Sequence, residues 1–343
     1  MLNKDKVLYS LKDVAIMPAA ISDVEHRGEC NVYYDNGKLP IFTAPMPCVV
    51  DYNTFERFEQ YGINTILPRT ENIGLRISVC NKQWCAFSLD EFEHYFIDET
   101  VDSGKLYVLI DIANGHMRKL LDVSIEGKRI YGDRLQLMVG NIANPETFYH
   151  FANAGVDYIR CSIGSGAGCT SATNLGILYP MASLIDECFQ IKEHEDFDTK
   201  IIADGGISSY RRMMKALALG ADYVMLGSTL NKLEDSAGKI IERTATERID
   251  LHNTFTQKKK FKEYYGMASE KGMKMLGKSG TPEGKMIYNE CDGTIESFTN
   301  GFKGYLRSTM SYCNITDIKD FVGRPQLNIL SCNASNQFNQ NRN

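Results

Sequence analysis

No apolar run in the 343 residues approaches the ~18 needed to cross a bilayer, so a membrane-spanning helix is not expected. The opening residues, MLNKDKVLYS, lack the apolar core of a secretory signal. Positive charge is not in excess: 38 Lys and Arg stand against 43 Asp and Glu, a formal charge of −5, which gives no electrostatic case for a nucleic-acid partner. The ten cysteines show no paired framework and read as reduced thiols in a cytoplasmic setting. Cys80 and Cys85 are close in sequence, but no second pair or histidine cluster joins them to make a zinc site.

What is there is an ordinary globular balance, 43% hydrophobic and 24% charged. Short apolar, β-branched-rich segments recur at Ile41–Ala44, Ile63–Leu67, Trp84–Leu89, Leu106–Ile112, Leu135–Val139, Tyr158–Ile163, Lys200–Ala203 and Tyr223–Leu226. Helical patterns such as Tyr52–Tyr61, Pro145–Ala154 and Tyr210–Leu219 lie between them. Eight strands alternating with helices predict an α/β fold, a (β/α)8 TIM barrel, with residues 1–343 as one catalytic domain. Chemistry then belongs on the loops at the strands' C-terminal ends. Ala44-Pro45-Met46, Asp111 to Gly115, Gly140-Asn141, Asp204-Gly205-Gly206 and Gly227-Ser228 fall there.

The stretch Tyr158 to Gly176, YIRCSIGSGAGCTSATNLG, organises the rest. A short strand opens into a loop with glycines at 164, 166 and 168, which presents Cys169 followed by Thr170 and Ser171. Glycines let backbone groups converge on a ligand or ion, and a thiol becomes a nucleophile in surroundings that yield its thiolate. A buried cysteine beside a flexible turn is the plainer reading of such a residue. Asp204-Gly205-Gly206 and Gly227-Ser228 follow the seventh and eighth strands, where barrels commonly bind phosphate, and an aspartate at a strand end suits a ribose diol. After the last strand the alternation stops. Residues 252–300 are polar and glycine-bearing and read as an active-site lid, with Lys258-Lys259-Lys260 as a solvated face. The Asn- and Gln-rich tail, 331–343, reads as poorly ordered or as a subunit contact.

Several of these segments together resemble the IMP dehydrogenase and GMP reductase family over nearly the whole chain. They are Leu11 to Val14, Ala44-Pro45-Met46, Ile110 to Gly115, Val139-Gly140-Asn141, Gly164 to Ser171, Ile202 to Gly206, Lys215 to Ser228, Tyr265-Gly266-Met267 and Arg307-Ser308-Thr309. No pair of regulatory modules interrupts the chain between residues 44 and 106. The dehydrogenases carry an Arg-Tyr pair in the lid, and none occurs between Met267 and Glu283. Glu283-Gly284-Lys285 and the run RSTMSY at 307–312 are similar to the GMP reductases.

The resemblance implies NADPH-dependent reductive deamination of a purine nucleotide in a soluble homotetramer. Cys169 would attack C2, and Ser171 with Glu283 would protonate the leaving nitrogen. Asp111, Asn114 and Gly115 would flank the nicotinamide, and the carbonyls of Gly164, Gly166 and Cys169 would hold potassium. Asp204 with Gly205 would take the ribose, Gly206, Gly227, Ser228 and Tyr264 the phosphate, while Met46, Met267, Ala268 and Gly284 would lie near the base. Met46 as simple core and Tyr264 as a surface residue remain open. The chain also departs from the family: Ser171 replaces a threonine, Ala167 a phosphate-bonding serine, and Pro47 an aspartate. Gly280 and Pro282 stand where an arginine and a serine read the guanine, within a shortened lid. Two other readings stay open, an IMP dehydrogenase using NAD and a non-catalytic purine-nucleotide-binding relative. A pure binder, however, has no need of a thiol and a carboxylate.

Overall fold

The computed structural model describes residues 6–166, 171–248 and 254–340. Thirteen strands are formed among these: β1 Val14–Ile16, β2 Ile41–Thr43, β3 Ile66–Leu67, β4 Trp84–Phe87, β5 Leu106–Asp111, β6 Leu135–Ile142, β7 Tyr158–Cys161, β8 Lys200–Asp204, β9 Tyr223–Leu226, β10 Ile240–Arg248, β11 Thr254–Tyr264, β12 Ile287–Glu290 and β13 Leu327–Ile329. Strands β2 to β9 make one parallel eight-stranded sheet in the order β2-β9-β8-β7-β6-β5-β4-β3. Its two edges meet at Asn64, whose N–H donates to Ile41 O at 3.0 Å while its carbonyl accepts from Thr43 N–H at 2.9 Å. The result is the α/β barrel expected from the alternation.

Side chains on a strand point alternately in and out, so the barrel lumen can be read off each strand at a period of two. At the N-terminal end the inward positions are aromatic. Phe42, Trp84, Tyr158 and Tyr223 pack with ring centroids 5.0 to 6.1 Å apart. One layer higher stand Ala86, Leu109, Met138 and Ile202, all buried. Continuing two residues along β5, β7 and β8 brings charged groups to the same lumen: Asp111, Arg160 and Asp204. The aromatic layer closes the floor, and the functional groups stand on it.

Helices cover the outside for local reasons. In Pro145–Asn153, the Asn144 side chain accepts from Glu146 N–H, Pro145 pre-sets the first turn, and Phe148, Phe151 and Ala152 face the barrel. Full burial of each phenylalanine contributes roughly 1.5–3 kcal/mol.

Three expectations are corrected. The Gly140-Asn141 loop lies inside β6, which runs to Ile142 with an irregular register against β7. Gly140 has φ 141°, and a Cβ there would stand 2.6 Å from Arg160 Cβ, so glycine is what lets the two strands approach. The lid of 252–300 is displaced at both ends. It starts with β10 at Ile240, while Ile295–Tyr312 is a helix that buries Ile295, Phe298 and Phe302 on the barrel. β10, β11 and β12 form a three-stranded antiparallel sheet, so the polar segment has a regular scaffold. In the tail, Cys332–Gln340 is a helix, and the buried Ser335 donates to Lys12 O at 3.0 Å.

Candidate active site

A cavity of about 530 Å³ opens above the charged layer. Its floor is an ion-pair chain. Arg160 donates from Nη1 to Asp111 at 2.7 Å and from Nη2 to Asp204 at 2.9 Å. Arg69 Nε adds a second donor to Asp111 at 3.0 Å, and Asn141 Nδ2 a second donor to Asp204 at 2.7 Å. Burial opposes ionisation of Asp111, but Arg69 and Arg160 more than offset it, so its carboxyl lies below the ordinary carboxylate range. Burial likewise opposes the charge on Arg160, and Asp204 and Asp111 outweigh it. Asp111 is thereby held ionised, and the hydrogen bonds fix both carboxylates in direction, one on each side of the same guanidinium.

The expected loops converge on this floor. Met46 comes from the loop after β2, Asp111 from the end of β5 and Asn114 from the loop after it. Gly164, Gly166 and the buried Ser171 come from the loop after β7. Gly205 and Gly206 follow β8, and Gly227 and Ser228 follow β9. Gly115 is set back from the opening: it is buried, and its N–H donates to Asn141 O at 2.9 Å. Cys169 lies outside the described residues. The loop leading to it is tight, since Gly164 has φ 83° and a Cβ there would come within 2.8 Å of Ile177 O.

The lid supplies the opposite wall through Tyr264, Met267, Ala268, Glu283 and Gly284. Tyr264 is buried, with its hydroxyl 2.6 Å from where a Cβ on Gly227 would sit, so it belongs to the site wall and not to the surface. Glu283 N–H donates to Ala268 O at 3.0 Å, which ties the carboxylate's backbone to the Met267-Ala268 segment. Gly280 and Pro282 are exposed, while the neighbouring Lys278 and Thr281 line the cavity.

Three participants carried no role in the sequence reading: Arg69, Arg160 and Asn141. The inward period of β7 could have singled out Arg160, because a charged residue between Tyr158 and Ser162 on the lumen face needs a partner. Arg69 sits beyond a two-residue strand and gave no such signal. A second cavity, about 840 Å³, lies beyond Ser208 and Ser228, which border both spaces. Among the described residues no group of three or more His, Cys, Asp or Glu is placed to hold a metal ion.

Comparison with known proteins adds what geometry leaves open. A family model described as IMP dehydrogenase / GMP reductase domain matches residues 86–338. A GMP reductase of Shewanella pealeana is 26% identical over 344 residues, covering 91% of this chain and 92% of that protein. An inosine-5'-monophosphate dehydrogenase of Chlorobaculum parvum is 31% identical over 244 residues, 65% of this chain but 45% of its own length. GMP reductase 2 of Mus musculus is 30% identical over 226 residues, 64% of this chain and 59% of its own.

Proposed function

The chain belongs to the IMP dehydrogenase / GMP reductase family, and from that premise we propose that it is an oxidoreductase catalysing NADPH-dependent reductive deamination of a purine nucleotide. The observation that supports this reading is one cavity lined by Ser171 and Glu283 together with the Asp111–Arg160–Asp204 ion pairs. The nearly full-length match to a GMP reductase supports the direction of the reaction.

In this reading Cys169 attacks C2 of the base. Amide ion is too poor a leaving group, so the exocyclic nitrogen needs a proton before it departs as ammonia. Ser171 and Glu283 hold that proton at the cavity wall. A bound nicotinamide would supply the hydride to C2, and the thiolate then leaves as the product forms. Asp111 and Asn114 fit the nicotinamide side, since one is a fixed carboxylate and the other an exposed amide at the cavity edge. Asp204, held open by Arg160 and Asn141, accepts from the ribose hydroxyls, with Gly205 beside it. Gly206, Gly227, Ser228 and Tyr264 form the phosphate seat, and Met46, Met267, Ala268 and Gly284 the base slot. The tight backbone at Gly164 suits a potassium ion bound by carbonyls of Gly164, Gly166 and Cys169. Assembly as a homotetramer in the cytoplasm belongs to the same proposal.

With glycine and proline at 280 and 282, the lid has lost two base-reading donors, each worth ~1–3 kcal/mol. A purine nucleotide with a changed base or sugar is therefore used at least as well as GMP. A panel of GMP, dGMP, IMP, XMP and substituted purine nucleotides, scored by kcat/KM, tests this. A preference for GMP above ~10²-fold over all others overturns the altered specificity. Replacing Cys169 with Ala abolishes turnover while nucleotide binding persists; retained activity overturns the covalent step. The 31% match to the Chlorobaculum dehydrogenase favours one second reading, oxidation of IMP with NAD. The lid has no Arg-Tyr pair to activate water for it.

A further inference from the structure

Asn289 lies in β12 directly opposite Lys262, with its side chain buried. Its neighbour in space is Asn231, which is fully buried. The Asn231 side-chain nitrogen donates to Cys48 O at 2.7 Å and to Glu263 O at 3.1 Å. Main-chain carbonyls only accept, so both amide protons of Asn231 are committed and its Oδ1 faces the other way. Asn289 must then present its nitrogen to that oxygen, and it does so at 2.7 Å. The second proton of the same nitrogen points to Ser228 Oγ at 3.2 Å.

This fixes the chemistry of a hydroxyl. Ser228 Oγ already accepts from Asn289, and among the described residues its own proton has no acceptor. Ser228 borders the catalytic cavity beside Gly227 and Tyr264. We propose that the Asn231–Asn289 amide relay orients Ser228 as a dedicated donor to the nucleotide's phosphate, making Asn289 a positioning residue for that seat. The inference rests on the functional reading above and adds residues to it that touch no substrate.

The test uses the full-length chain with GMP and guanosine as probes, and affinity is read by titration calorimetry. Ser228→Ala weakens GMP about 10- to 100-fold, the worth of a hydrogen bond to a charged group, and leaves guanosine unchanged. Asn289→Val reproduces most of that loss, and the double variant is no weaker than Ser228→Ala by more than about 2-fold, because both act through one bond. In the Asn289 variants the change appears in KM, with kcat held within about 2-fold, since Asn289 is buried and touches no substrate. Asn289→Ala, which brings in no new volume, carries the same expectation should the valine variant fold poorly. GMP affinity that is insensitive to both Asn289 variants, fully additive losses, or an equal effect on guanosine overturns the relay. Wild-type protein that binds GMP no better than guanosine overturns the functional reading itself, and the relay with it.

Discussion

Arg160 is enclosed in the barrel with two carboxylates depending on it, and its Nε is the buried side-chain polar atom left without a partner among the described residues. Removing one member of a buried pair leaves an uncompensated charge and typically costs ~3–5 kcal/mol. Arg160→Met is expected to lower unfolding stability by about that amount in urea titration, because Asp204 keeps Asn141 alone. A loss under ~1 kcal/mol contradicts the assigned charges. His116 gives a pH-dependent outcome. Its Nε2 accepts from Ala143 N–H at 3.0 Å, which requires the neutral ring, and burial lowers its pKa from the ordinary 6.5. A histidine depressed in the folded state stabilises above its unfolded pKa, and the contribution is lost as pH falls through the folded value. The turn carrying Asn114 should therefore loosen only at a pH under the ordinary 6.5, raising the cofactor KM in wild-type protein but not in His116→Gln. Matching profiles in the two proteins contradict this. At this scale Asp111 and Asp204 were legible because each ends a strand. Arg160 and Asn289 were not, since their roles depend on partners far away in sequence.

Among elements, the lid shows how scaffold and site are joined. Lys262 on β11 is fully buried, with Nζ donating to Leu233 O at 2.7 Å, Ser236 O at 2.8 Å and Ser236 Oγ at 2.9 Å. Burial lowers its pKa, and those oxygens offset the cost of a charge inside the protein. Lys262 thus anchors the strand that delivers Tyr264 to Gly227. Lys262→Met takes the donor from the Ser236 carbonyl at ~1–3 kcal/mol, while Leu233 O keeps Ser236 N–H and Oγ. The expected result is faster limited proteolysis within the lid and a lower urea midpoint; wild-type behaviour on both counts contradicts the anchor. Gly227→Ala places a Cβ 2.6 Å from the Tyr264 hydroxyl and forces that wall apart. It should weaken GMP binding about 10-fold or more, the scale of one lost hydrogen bond to a charged group, and unchanged affinity contradicts the placement of the seat. From sequence, Lys258-Lys259-Lys260 on β11 read as a solvated face. Lys259 and Lys260 do pair with Glu290 and Glu234 at the surface, but nothing local distinguishes them from Lys262 two residues on. Only strand pairing assigns that lysine an inward face.

Across the whole molecule, the eight barrel strands were legible because buried parallel strands are short apolar runs with polar ends. The seam was harder to read: β3 is two residues long, and closure at Asn64 depends on single backbone bonds. The polar tail was misread for a related reason. It holds a helix, Cys332–Gln340, and just before it β13 pairs with β1, Val14 facing Ile329 and Ile16 facing Leu327. Such pairing is invisible to composition. The proposed reaction joins the barrel, the ion-paired floor and the lid, and its mass balance tests it most directly. GMP is incubated with excess NADPH and the full-length protein, and cofactor oxidised, ammonia released and IMP formed are measured together. Equal amounts of all three, abolished by Cys169→Ala, are predicted. NADH formation from IMP and NAD, with no ammonia from any guanine nucleotide, would contradict it.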